Sequence, residues 1–131
     1  MVIRPSRSGF TATVQSLIAA IESRGLTVFA QVDHAAGAAE VGLELEDEVV
    51  VSFGNPRAGT SLMQADRRVG IELPLRMLIW LDGEKVWLGY LDPHALAEAY
   101  RLDGHGATLD QMAALLETIA AEASGPPSSR A

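Results

Sequence analysis

The densest run of residues able to do chemistry is Gly54-Asn55-Pro56-Arg57-Ala58-Gly59-Thr60. It follows Val49-Val50-Val51-Ser52-Phe53, which reads as a strand, and Pro56 suits the first position of a helix. A strand that feeds a helix through a glycine leaves backbone N–H groups and the positive end of the helix dipole free at the turn. Arg57 could add a charge and Thr60 a hydroxyl, so the turn could receive a small anion. The lysine and spacing of a P-loop are missing. The structural alternative is that Asn55 caps the helix and Gly59 permits close packing. Asp33-His34 is the second candidate, at the end of a predicted strand. An imidazole beside a carboxylate can act as a general base. Neighbours on a strand point to opposite faces, however, so the two pair only if the chain turns between them. The alternative is Asp33 as a plain helix cap.

The remaining chemistry is sparse. His94 and His105 lie far from His34 and make no metal signature, so no metal is expected. There is no cysteine, which excludes disulfides and thiolate catalysis. No dinucleotide fingerprint or nucleophile elbow is present, and no cofactor is expected. Trp80, Trp87 and Tyr90 belong to one predicted hairpin and fit a core or a subunit interface.

These residues must be carried by 131 residues of net charge −7, with a sequence pI of about 4.8. An acidic surface repels phosphate backbones and anionic head groups, so neither nucleic acid nor membrane is an expected partner. No run is long and apolar enough for a span, and the first residues lack a signal-peptide core, so a cytoplasmic location is expected. Arg57, Arg67, Arg68 and Arg76 stand against Asp66 and Glu72 alone, giving one locally basic segment. The hydrophobic share of 48% is high for a small domain and points to surface hidden in an oligomer.

The elements follow from periodicity. Val2 to Arg4 reads as a strand. Phe10, Val14, Leu17, Ile18 and Ile21 form one helical stripe after a cap at Ser8 or Thr11, ending at Gly25. Leu26 to Asp33 reads as a strand and His34 to Val41 as a short helix. Leu43 and Leu45 alternate with Glu44 and Glu46 as in a strand, and Val49 to Phe53 reads as a strand buried on both faces. A helix runs from Pro56 to Asp66 or Arg68. Leu75 to Leu81 and Lys85 to Leu91 form a hairpin about Asp82-Gly83, with Trp80 opposite Lys85 and Leu78 opposite Trp87. Asp92-Pro93 starts a helix to Arg101, and Thr108 to Gln111 matches a capping box before the last helix. The expectation is one α+β domain over residues 1–123 and a disordered tail over 124–131. Its order is β-α-β-(α)-β-β-α-β-β-α-α: two layers, a mostly antiparallel or mixed sheet of about five strands, with helices on one face.

The chain resembles the domain of unknown function 302 family. The carrying residues are Gly25-Leu26-Thr27-Val28-Phe29, Asp33-His34-Ala35-Ala36, Gly42-Leu43-Glu44-Leu45, Phe53-Gly54-Asn55-Pro56, Ala58-Gly59-Thr60, Leu62-Met63-Gln64, Leu73-Pro74-Leu75 and Tyr90-x-Asp92-Pro93. Leu91 stands where a polar residue is typical, and Ser61 where proline is. The resemblance implies a compact α+β fold and a homodimer, and no reaction. Three functions fit these readings. The first is a dimeric small-molecule-binding or accessory protein holding an anion at the Gly54–Thr60 turn, with Asp33, His34, Asn55, Arg57, Gly59 and Thr60 as binding candidates. The second is an enzyme with His34 as base and the same turn as oxyanion holder. The third is an interaction module using the apolar hairpin 75–91.

Overall fold

The computed structural model describes residues 1–125. Five strands form one antiparallel sheet in the order β1-β5-β4-β3-β2. They are β1 (Val2–Ser6), β2 (Thr27–Asp33), β3 (Glu48–Gly54), β4 (Leu75–Asp82) and β5 (Lys85–Tyr90). Helices α1 (Phe10–Glu22) and α5 (Gly106–Ala123) lie together on one face. Their stripes, Leu17, Ala20 and Ile21 from α1 and Leu116, Ile119 and Ala120 from α5, meet Val51, Phe53, Met77, Ile79 and Leu88 of the sheet. These side chains carry the main core, because alternate strand residues share a face and the helical stripe matches them. Helices α2 (His34–Glu40), α3 (Pro56–Ala65) and α4 (Leu96–Ala99) complete the chain. Of two short 3-10 turns, Arg67–Glu72 leads from α3 towards β4 and Pro93–Ala95 leads from β5 into α4. A second apolar cluster, with Leu62, Val69, Leu102, Leu109 and Met112, fastens α3 and the first of these turns to the start of α5.

The fold agrees with the α+β, one-face-covered reading, and several local expectations are corrected. Leu43 and Leu45 form no strand and stand 66% and 48% exposed. Both sides of β3 are already taken by β2 and β4, so the stretch leading into it finds no free edge. The hairpin register is shifted by two residues. Trp80 faces Trp87, Leu78 faces Gly89 and Asp82 faces Lys85. The turn is Gly83-Glu84, because Gly83 supplies the positive φ of 63°.

Helix α1 is capped by Gly9 with no side-chain bond, and Thr13 Oγ1 instead donates to the Gly9 carbonyl at 2.8 Å. Thr108 lies inside α5, whose cap is His105. The helix predicted after Pro93 is a 3-10 turn and one α-turn, and the helix from Pro56 ends at Ala65 before a 3-10 turn that contains Gly70. Ser124 and Gly125, assigned to the tail by composition, are buried, and the Arg7 N–H donates to the Ser124 carbonyl at 2.8 Å. The rest of that tail lies outside the described residues.

The largest correction concerns β3. Val49, Val51 and Phe53 are buried, whereas Val50 and Ser52 are only half-buried. The register places Val32, Val50, Leu78, Gly89 and Ile3 in one row on the outer face. Beside it lies the row Glu48, Trp80, Trp87 and Pro5. Helices α1 and α5 cover the opposite face. Val32 is 46% and Ile3 52% exposed.

Candidate functional site

The Gly54–Thr60 turn is accounted for by folding. Asn55 takes an extended backbone before Pro56, and its Oδ1 accepts from the Arg57 N–H at 2.9 Å. Gly59 packs under Leu73, whose Cδ1 would touch an added Cβ at 3.5 Å. Arg57 and Thr60 are exposed. Asp33 is likewise a cap, accepting from the Ala36 N–H at 2.9 Å.

The two candidate groups are not brought together. Asp33 pairs with Val49 at one end of β3, and Asn55 follows Gly54 at the other. The strand rises about 3.3 Å per residue, which sets them roughly 20 Å apart. His34 therefore has no oxyanion holder in the turn. It faces a different feature, a trough of about 660 Å³ along the outer sheet face and over its end. Apolar Val50 and Leu78 floor the trough, and His34, Glu48, Glu72, Arg76, Tyr90 and Asp92 supply its polar groups. Ligand cavities have this character: an apolar body with few polar groups that fix orientation. Gly89 keeps the floor flat. A Cβ there would come within 2.8 Å of Met1 Sδ and 3.1 Å of the Trp80 ring.

A second cluster escaped the sequence reading. His94 Nδ1 lies 2.7 Å from Asp92 Oδ1, and Nε2 lies 2.6 Å from Asp110 Oδ1. Ionised carboxylates only accept, so both ring nitrogens must carry hydrogen and the imidazole is a cation. The hydrogen bond to Asp110, then that to Asp92, raises the His94 pKa above its ordinary value. Asp92 is held below its usual range, chiefly by the His94 backbone N–H and then by the His94 ring. Asp92-x-His94 was visible in the sequence, but its closure by Asp110 was not, because 16 residues separate it from His94. Among the described residues, no group of three or more His, Asp or Glu could hold a metal ion.

Comparison with known proteins bears on the fold and the family. An uncharacterized conserved protein DUF302 from Bacillus stearothermophilus superposes with a TM-score of 0.73 and 20% identity over 93% of both chains. The chain is 45% identical over 103 residues to the fluoride-specific ion channel FluC 1 of Brucella suis biovar 1 (strain 1330), covering 78% of this chain and 41% of that protein. It is equally similar to FluC 1 of Brucella abortus biovar 1 (strain 9-941), covering 38% of it. The chain thus spans about two fifths of the length of the curated relatives it matches. Among the described residues, no helix is long and apolar enough to cross a membrane. Residues 2–122 match the family described as domain of unknown function DUF302, and the chain belongs to that family.

Proposed function

We propose that this chain is a homodimeric accessory domain that holds a small molecule of negative charge on its outer sheet face. The observation that carries the reading is the row of Val32, Val50 and Leu78 beside Trp80 and Trp87, on the face opposite α1 and α5. An apolar sheet face of this kind is stable when a second layer covers it. A second copy fits because the face is complementary to itself. Glu48 and Arg76 lie at opposite ends of the strip, facing Trp80 and Ser52 respectively. A two-fold axis lying in the plane of the interface, perpendicular to the strands, would invert the strip and bring Glu48 against the partner's Arg76. The same packing would roof the trough and enclose His34 beside a bound molecule. Arg76 and His34 would then meet negative charge on that molecule.

The accessory role rests on the relatives. In proteins named fluoride-specific ion channels, a region similar to this chain occupies about two fifths of the length. A domain that accompanies a channel and binds a small molecule would sense a solute rather than conduct it. The enzyme reading is weaker, because the turn that would hold an oxyanion lies at the far end of β3 from His34. The interaction reading survives in narrower form. The outer face of the 75–91 hairpin is the centre of the proposed dimer contact.

Light scattering at micromolar concentration should give twice the 13.9 kDa chain mass. Leu78→Glu, which charges the middle of the strip, should give a folded monomer. Both tryptophans sit on this face, so their emission should shift to the red in the same variant. A monomeric wild type, or unchanged emission and mass in Leu78→Glu, would sink the dimer. A wild-type protein that is monomeric alone and gains mass only with a second, different protein would instead favour the hairpin as a partner site. Native mass spectrometry of the purified dimer should detect a co-purifying small molecule that Arg76→Ala loses. A dimer from which nothing is lost would remove the ligand from the reading.

A further inference from the structure

A second hollow, of about 460 Å³, lies on the opposite side of the sheet, between the β1–β5 edge and α5. Its shape follows from the sequence of α5. Asp110, Ala113, Ala114 and Glu117 fall at spacings that share one helical face, and the two alanines leave room between the carboxylates. Arg4 of β1 and Tyr90 of β5 form the facing wall, and Asp92 and His94 close one end. The Asp92–His94–Asp110 bridge makes that end a fixed wall.

Two features call for a ligand. The Arg4 Nε atom is buried and has no hydrogen-bond partner among the described residues. A buried N–H donor is rarely left unpaired, so the guanidinium beside the hollow keeps hydrogen-bonding capacity that no described protein group takes up. The Tyr90 hydroxyl senses opposite charges around it. Burial raises its pKa first, the Glu117 and Asp92 carboxylates raise it further, and Arg4 opposes them. Thus one guanidinium and a carboxylate on α5 flank the same small hollow, over a lining of Val2, Ala113 and Ala114.

We propose that this hollow binds a small zwitterion, a free α-amino acid with a short aliphatic side chain. Its carboxylate sits on Arg4, its ammonium on Glu117, and its side chain on Val2 and the two alanines. This site shares Tyr90 and Asp92 with the outer-face trough but is built on Arg4 and Glu117, which do not line that trough, and it does not require the dimer. A lone anion would use Arg4 and leave Glu117 without a counter-charge. A lone cation would leave Arg4 Nε unpaired. Only a molecule carrying both charges answers both walls.

The test is a titration of the full chain with L-alanine and L-valine, followed by backbone amide NMR, with acetate and methylammonium as single-charge controls. Saturable shifts are expected at Arg4, Tyr90 and Glu117, with the controls at least about tenfold weaker. Arg4→Met and Glu117→Gln should each abolish saturation. Should Arg4→Met fail to fold, Arg4→Lys keeps the charge but lacks the Nε–H, and should weaken the amino acids while leaving the fold intact. No saturable shift with either amino acid, equal response to acetate, or undiminished binding by the folded Arg4 variants would each overturn the proposal.

Discussion

At the scale of single residues, two ionisable groups give the protein opposite pH slopes. His94 is a cation clamped by two carboxylates, and its pKa is raised from 6.5. A raised pKa means the folded state binds the proton more tightly. Its stabilisation is therefore complete below about pH 6.5 and is lost as pH rises through the folded pKa. The melting-temperature gap between wild type and His94→Gln should be widest near pH 6 and close in alkaline buffer; a gap that persists there would show that the ring acts by packing. Asp66 works in the other direction. It accepts from the backbone N–H groups of Arg68 and Arg101 and from the Arg68 guanidinium. The Arg68 side chain, first among these, holds its carboxyl well below the usual range. That contribution is present above about pH 4 and fades as pH falls. Asn55 is a simpler case. Asn55→Ala should cost about 1 kcal/mol through the lost cap, and Asn55→Asp should keep it. Thermal scans with phosphate and sulfate complete the test. Anions that raise the melting temperature of wild type but not of Asn55→Asp would return an anion site to this turn.

At the scale of elements, the two faces of the sheet should respond differently to the same operation. Phe53 is fully buried under α1 and α5. Phe53→Ala should cost about 3–5 kcal/mol in denaturant unfolding. Val32 lies on the outer face at 46% exposure, and Val32→Ala should cost the isolated chain only about 0.5 kcal/mol. Comparable costs at both positions, measured under dissociating conditions, would mean that another part of the chain covers the outer face. The hairpin adds a conformational test. Gly83 holds a φ of 63°, so Gly83→Ala should cost about 1–2 kcal/mol. Glu84→Ala, one residue on, should cost far less, because position 84 needs no positive φ and the strain sits at position 83. Equal losses from the two substitutions would place the strain elsewhere in the turn.

At the scale of the whole molecule, one face of the sheet is closed by helices, and in the proposed dimer the other is closed by assembly. Strands β1 and β2 form the two edges of the sheet, and the outer-face row runs from Val32 on one edge to Ile3 on the other. Face-to-face pairing would bury it without extending the sheet, which favours a closed dimer over an open chain of edges. The dimer should therefore keep one mass across a wide concentration range, and a mass that grows steadily with concentration would indicate edge pairing instead.

The amino-acid sequence determined most of the elements and the family. The stripe from Phe10 to Ile21, the valine run before Gly54 and the cap at Asn55-Pro56 each depend on neighbours within one or two turns, so their structure was written locally. The cap at Asp33 was legible for the same reason. Tertiary structure decided everything that joins distant segments. Five adjacent residues in β3 cannot say whether one face or two will be covered, because that depends on where the helices return. The alternation from Leu43 to Leu45 called for a strand, and the lack of a free edge beside β3 refused it. His34 and Asn55 looked like one site and stand at opposite ends of a strand, since an extended chain carries its two ends far apart. His94 stands two residues from Asp92 in the sequence, and only the packing of α5 gave it a second carboxylate.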